Sequence, residues 1–261
     1  MRGTVKRPSL LLAAFAAALA IAAPASAVQF GRPDGNAHPL VGLVLFYDAA
    51  GHPLARCSGT LLSPTVFLTA GHCTSGAASA QVWFSPGPIT VASGYPFTGG
   101  DSFGTPYTHP LFDHFAASPA NYDLGVVVLD TPQPGPYATL APVGLLDSLK
   151  KDDAALDLVG YGLQDALPPT ITADRTRYAG QAKLVNLKNT NTAGYNLQMT
   201  AAPGTGGSIC YGDSGGPDFL AGTLEVVAVN SFVQSRFCMG AAFSYRTDTA
   251  DSRAFIGRFL P

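Results

Sequence analysis

Between residues 40 and 245 the chain is cut into short apolar runs by turn-forming residues, and this punctuation limits the possible folds more than any other feature. The runs 40–47, 60–62, 66–69, 81–84, 124–129, 156–161, 182–187, 224–229 and 241–245 are rich in Val, Leu, Phe and Tyr, with Gly, Pro or Asp between them. Such runs suit strands and are too short for packed helices. Gly and Pro, 29 and 21 of 261 residues, make up about 19% against roughly 12% in average usage, which argues against a helical bundle or coiled coil. A charged fraction of 12% beside 10% aromatics argues equally against disorder. Many short strands at this spacing predict a sandwich or barrels. Residues 131–136, with three prolines, read as a connection between two β halves. Only the end reads as helical: Asp248 is placed to cap a helix over about 249–259, with Ala250, Ala254, Phe255 and Phe259 along one side.

The first 27 residues follow another rule. Arg2, Lys6 and Arg7 precede an apolar run over 10–23, and Ala25-Ser26-Ala27 then offers small residues for cleavage. The run's 14 residues fall short of the roughly 20 that span a bilayer. Residues 1–27 are therefore expected to be a secretory signal that is removed. The remaining 234 residues carry 12 basic and 17 acidic side chains, a net charge of −5. No other stretch is long and apolar enough for a membrane span, and the charge offers no footprint for nucleic acid or anionic lipid.

Export changes how Cys57, Cys73, Cys210 and Cys238 are read, since an even count in a secreted chain favours two disulfides. Three pairings are possible. The local one, Cys57–Cys73 with Cys210–Cys238, closes the shortest loops, each worth about 3 to 4 kcal/mol on the chain-entropy model. A zinc site is disfavoured because no C-x-x-C spacing occurs.

The strongest local signal for chemistry is Gly212-Asp213-Ser214-Gly215-Gly216, where glycines let the backbone approach a substrate and turn amide hydrogens toward one point. The string also satisfies G-x-S-x-G, the nucleophile elbow of the α/β-hydrolases. Chain order decides against that reading, because His38, His52, His72, His109 and His114 all precede Ser214 and an elbow would have no base after it. The base must lie upstream. Thr69-Ala70-Gly71-His72-Cys73 supplies a histidine at the end of an apolar run, beside a cysteine. Asp123, just before the most apolar run, is placed where a carboxylate can be buried and orient that histidine. The other four histidines read as structural, and no metal site is expected.

In this order and spacing the chain resembles the trypsin/chymotrypsin-like serine proteases, in the secreted, bacterial-type form with an N-terminal signal peptide. The resemblance covers 28–261 and rests on Cys57-Ser58-Gly59-Thr60-Leu61, the stretch 69–73, His109-Pro110, the stretch 122–129, Val159-Gly160-Tyr161-Gly162, the stretch 210–217, Asn230-Ser231-Phe232 and Tyr245-Arg246. It implies an all-β fold of two antiparallel six-stranded Greek-key β-barrels with a C-terminal helix. The N-terminal barrel would span about 28–131, the C-terminal barrel about 137–247 and the helix about 248–260.

The resemblance also implies roles. Ser214 would attack the peptide carbonyl, His72 would take and return its proton, and Asp123 would hold the histidine, supported by Ser231. The amides of Gly212 and Ser214 would form the oxyanion hole. Both local disulfides match the family. Val28, freed by signal cleavage, would pair its ammonium with Asp213. Ser208 would floor the substrate pocket, with Val233 and Ala242 on its walls, favouring small or medium apolar residues over Arg or Lys. Asp218 departs from the family's usual apolar residue. Polypeptide substrates and protein inhibitors are the implied partners, and no cofactor is implied. The competing class is a secreted, catalytically silent binding protein on the same scaffold.

Overall fold

A computed structural model describes residues 28–150, 154–166, 168–169, 171, 173–201 and 207–261. The expected signal segment 1–27 lies outside the described residues. Among the described residues fourteen strands are formed, in order β1 (Arg32–Pro33), β2 (Val41–Tyr47), β3 (Pro53–Leu61), β4 (Val66–Thr69), β5 (Ser79–Trp83), β6 (Ser102–Thr108) and β7 (Gly125–Leu129) in the first half. The second half holds β8 (Thr139–Leu140), β9 (Ala155–Gly160), β10 (Tyr178–Asn186), β11 (Asn196–Ala201), β12 (Pro217–Leu220), β13 (Glu225–Val233) and β14 (Gly240–Arg246). Three short α-helices complete the described structure: α1 (Gly71–Thr74), α2 (Leu145–Ser148) and α3 (Ala250–Ile256).

The strands close into two six-stranded antiparallel barrels of the same winding. The first runs β2-β3-β4-β7-β6-β5 and closes through β2–β5. The second runs β9-β10-β11-β14-β13-β12 and closes through β12–β9. In each, the fourth strand in sequence lies across the barrel from the third, which is a Greek-key connection. Closure leaves no open edge on either sheet. The first core is aliphatic and aromatic: every residue of β2 is buried, and Phe46, Phe67, Leu68, Val126 and Val127 belong to one buried cluster. A separate cluster fills the second, including Leu156, Leu158, Leu184, Leu197 and Met199.

Residues 131–136 run between β7 and β8, which joins the second sheet by pairing parallel to β13. The start of the described chain does not belong with the first barrel, contrary to the boundary expected at residue 28. Val28 is fully buried in the second barrel's cluster, Gln29 bridges to Ser208, and β1 pairs with β10. Arg177 ties that segment down. Its guanidinium is fully buried and donates to Asp34, Asn36, the Val41 and Phe84 carbonyls and the Tyr161 hydroxyl, linking the leading segment with both barrels. The terminal helix is also shorter than expected, and Thr249 rather than Asp248 caps it by accepting from the Ser252 N–H. Asp248 is otherwise engaged, accepting from Arg246 and from the Leu146 N–H.

Candidate active site

His72 sits in α1, a single turn that follows β4 directly. The Cys57–Cys73 disulfide ties this turn to β3, so the imidazole is placed by a covalent bond as well as by the barrel. Asp123 lies in the tight turn before β7, the strand paired with β4, and is completely buried. Its carboxylate accepts from the His72 backbone N–H at 2.7 Å, from Nδ1 at 2.8 Å and from the Ser231 hydroxyl at 2.5 Å. With Nδ1 committed, Nε2 is the nitrogen left for chemistry in the cleft. Burial works against charge on both partners, yet each outweighs it for the other. The Asp123 charge and hydrogen bond raise the His72 pKa, and the His72 and Ser231 contacts hold the Asp123 carboxyl below the ordinary range.

Ser214 comes from the second barrel, in the loop between Cys210 and β12. It shares with His72 and Ser231 a cleft of about 230 Å³ whose other walls include Ile209, Phe232 and Val233. The loop is held on both sides. Ser58 of β3 donates its N–H to the Ser214 carbonyl at 2.8 Å and its hydroxyl to the Gly212 carbonyl at 2.9 Å. From β13, Asn230 accepts from the Gly215 N–H at 2.8 Å and donates its own N–H to the Gly216 carbonyl at 2.9 Å. The Cys210–Cys238 disulfide braces the loop's start. Gly212 and Gly215 adopt φ of 98° and 77°, which an L side chain rarely takes. At Gly215 a Cβ would also press on the Ser58 carbonyl and the Ala70 amide, so the serine could not come this close to β3. The amides of Asp213, Gly215 and Gly216 bond to backbone carbonyls. Among the described residues, those of Gly212 and Ser214 donate to no protein acceptor.

Asp213 points away from the cleft into the protein. Burial pushes its carboxyl up to about 7, against the opposing pull of the Cys210 and Gly162 amides, the Arg56 charge and the Val28 amide. Val28 and Asp213 are thus neighbours, joined through the Val28 N–H. The three expected pocket residues are separated. Val233 lines the cleft. Ser208 is completely buried with its hydroxyl donating to the Cys238 carbonyl, and Ala242 is buried opposite Val233 in the β13–β14 ladder, so neither reaches the cleft surface. No carboxylate lines the cleft among the described residues.

Residues that sequence reasoning passed over also act here. Phe115 packs against the His72 ring at 5.9 Å and edge-on to Phe232 at 5.9 Å, an apolar shoulder that no motif signals. Ser58 and Asn230 lie inside recognisable strings, but only pairing across the molecule reveals what they hold. The remaining histidines sit away from the cleft: His38 and His52 bond to Asp34 and Asp48, His109 pairs with Asp251 and stacks on Tyr122, and His114 approaches Ser75.

Two closed barrels thus present one cleft that His72 and Ser214 share, with Asp123 buried behind the histidine. The trypsin family model matches residues 36–249, so the chain belongs to the trypsin family and is a serine endopeptidase. Chymotrypsin-like elastase family member 3B from Homo sapiens is 28% identical over 216 residues, covering 74% of this chain and 74% of that protein. Proproteinase E from Bos taurus is likewise 28% identical, covering 74% of this chain and 79% of its own length. Among solved structures, HL collagenase superposes with a TM-score of 0.65 at 18% identity, covering 85% of this chain and 93% of that one. Human heparin binding protein superposes at 0.60 with 16% identity, covering 87% and 94%. Likeness at that level speaks for the fold alone.

Proposed function

We propose that the protein is a secreted endopeptidase that cleaves through a His72–Asp123–Ser214 triad and an acyl-enzyme, preferring small or medium apolar residues on the acyl side of the scissile bond. The observation that carries this reading is the hydrogen-bonded chain Ser231–Asp123–His72, which ends in the cleft that Ser214 shares. Ser214 attacks the carbonyl as His72 Nε2 takes its proton; the same proton then goes to the leaving amine, and water repeats the cycle to release the acid. Asp123 keeps the reactive tautomer and stabilises the imidazolium. The uncommitted amides of Gly212 and Ser214 bind the oxyanion, a contribution of about 3 to 4 kcal/mol per donor.

Two features support the apolar preference. The cleft walls are Ile209, Phe232 and Val233, and an arginine side chain would be desolvated there without a carboxylate partner. The buried Ser208 adds no charge beneath them. Activation follows from the leading segment: removal of 1–27 gives Val28 an ammonium beside Asp213, whose carboxyl then ionises against it. Two disulfides fit an oxidising, extracellular setting.

Labelling of the secreted protein by an organophosphonate probe, lost in Ser214→Ala, tests the chemistry. Absence of labelling in the parent protein would favour the silent binding scaffold instead. A panel of chromogenic peptides tests the preference, with faster turnover after Ala, Val or Leu than after Arg expected. N-terminal sequencing of the labelled form should begin at Val28; any other start overturns the activation reading.

A further inference from the structure

Arg56 lies on β3 two residues before Ser58, in a stretch of regular pairing with β2, so strand periodicity sends both side chains to the same face. Ser58 uses that face to hold the serine loop, its hydroxyl donating to the Gly212 carbonyl. The Arg56 guanidinium lies beside the same glycine: a Cβ at Gly212 would meet its Nη2 at 3.1 Å and its Nε at 3.4 Å. Gly212 adjoins Tyr211, an exposed residue of the cleft wall, and its own amide is one of the two that donate to no protein acceptor. Arg56 is half-buried, close to the exposed Pro53 and Leu54 that begin its strand. The guanidinium therefore stands at the rim of the cleft, next to the oxyanion amides.

What this guanidinium lacks is a partner. Among the described residues its donors reach no acceptor, and the arginine ion pairs belong to Arg177 and Arg246. Asp213 feels the Arg56 charge across the loop, but its carboxylate accepts from the Gly162 and Cys210 amides instead. A planar fork of donors held without an acceptor matches a carboxylate brought from outside. Covalent placement says on which side of the cleft. Arg56 precedes Cys57, whose disulfide ties β3 to the turn that carries His72. The apolar wall of Ile209, Phe232 and Val233 comes from the second half of the chain and takes the acyl side. The leaving amine collects its proton from His72, so the substrate beyond the scissile bond runs along the first barrel, past Cys57 and Arg56.

We propose that Arg56 is a specificity-determining residue that binds a carboxylate on the leaving side, so that substrates with Asp or Glu at the first or second position after the scissile bond are favoured. This rests on the serine endopeptidase reading above and completes its substrate class: an apolar residue before the bond and an acidic one just after it. The bound carboxylate offsets the cost of keeping an unpaired guanidinium half out of water. At the rim the pair stays open to solvent, so its worth is a few-fold in selectivity and falls with salt.

Acyl transfer reads the leaving side directly. An apolar ester forms the acyl-enzyme; an added amine attacks its carbonyl and passes a proton to His72, and the bond to Ser214 Oγ breaks as that oxygen takes the proton, giving an amide in competition with hydrolysis. Glu-amide against Gln-amide probes the first position, and Ala-Glu-amide against Ala-Gln-amide the second. In the parent the acidic member of at least one pair should be preferred about fivefold, and less at about 1 M salt. Arg56→Gln should abolish the preference and Arg56→Glu should reverse it. Each ratio is taken within one enzyme, so a general loss of activity through the serine loop does not move it. No acidic preference in either pair, or one that survives Arg56→Gln, overturns the proposal. A second readout needs no chemistry. By calorimetry, Ser214→Ala protein should bind acetyl-Ala-Ala-Leu-Glu-Glu-amide about fivefold more tightly than its Gln-Gln counterpart, and the two equally once Arg56→Gln is added; equal binding with Arg56 in place overturns the proposal. A parent enzyme that no serine probe labels overturns the serine reading alone, and the calorimetry still decides the role of Arg56.

Discussion

Asp34, Asp123, Asp213 and Asp218 all have buried side chains, Asp34 the least of the four, yet the first two and the last two shift in opposite directions. Asp34 is held down to about 2, because His38 donates twice and Arg177 once to it, and these bonds outweigh the cost of burial. Asp123 is likewise held low by His72 and Ser231. Burial pushes Asp213 and Asp218 up to about 7, against backbone amides and the Arg56 charge in one case and the Ser244 hydroxyl in the other. Burial alone therefore does not set the charge of an acid. What differs is whether another segment delivers a cation or enough donors. The first pair anchors the leading segment and the histidine. The second pair lies on either side of Ser214 in sequence.

The largest effect expected from breaking this contrast is at Asp123. Asp123→Asn keeps the shape but presents an amide to Nδ1 and favours the wrong tautomer. kcat should fall by about 10⁴-fold, the size seen for this change in Ser-His-Asp triads, and steady-state kinetics with an apolar chromogenic peptide checks it. Next, Arg177→Met leaves Asp34 buried without its guanidinium and should cost about 3 to 5 kcal/mol in urea unfolding. Pairing it with Asp34→Leu should recover part of that loss. A single mutant as stable as the parent would erase the distinction drawn between the two pairs.

Acid sharpens the contrast further. A depressed pKa gives stability that is present above the unfolded value of 3.8 and lost as pH falls through the folded one. Asp34 should therefore lose roughly 2 kcal/mol of its contribution in acid, between pH 3.8 and about 2. Denaturant titrations of the parent and Asp34→Asn, compared across that window, check the sign. The smallest effect is at Ser231. Ser231→Ala removes one of several donors to Asp123, which should cost about 1 kcal/mol, roughly a fivefold loss in kcat/KM. The acid limb of the pH–rate profile should stay centred above 6.5, since the raised His72 pKa depends chiefly on Asp123.

Much of the architecture was legible because apolar runs and turn residues mark strands by their own chemistry. The missed strands show where that signal fails. β6, Ser-Phe-Gly-Thr-Pro-Tyr-Thr, reads as a loop, yet it closes the first barrel with Ser102 and Gly104 inward and Phe103 exposed. Small residues fit there because β5 and β7 flank it closely, and only the closed barrel creates that need. β11 likewise buries Leu197, Met199 and Ala201 between polar residues that hid the alternation. In the site, motif and order pointed to His72, Asp123 and Ser214; the fold puts His72 and Ser214 on one cleft and bonds Asp123 to the histidine. The pocket residues were expected from counting along the chain alone; of these Val233 lines the cleft, and Ser208 and Ala242 are buried.

By itself, the sequence determined the class of fold, the family whose motifs it carries and the cysteines that pair, because propensity, turn chemistry and motif spacing are local. The tertiary structure decided that Val28 docks on the second barrel beside Asp213, that Ser58 and Asn230 grip the serine loop from opposite sides, and in which direction burial and donors push each buried acid. Those outcomes depend on groups brought together from segments more than 100 residues apart, such as Arg177 and Asp34 or Ser231 and Asp123. A carboxylate's charge is set by the field and donors at its final position, and folding alone fixes that position.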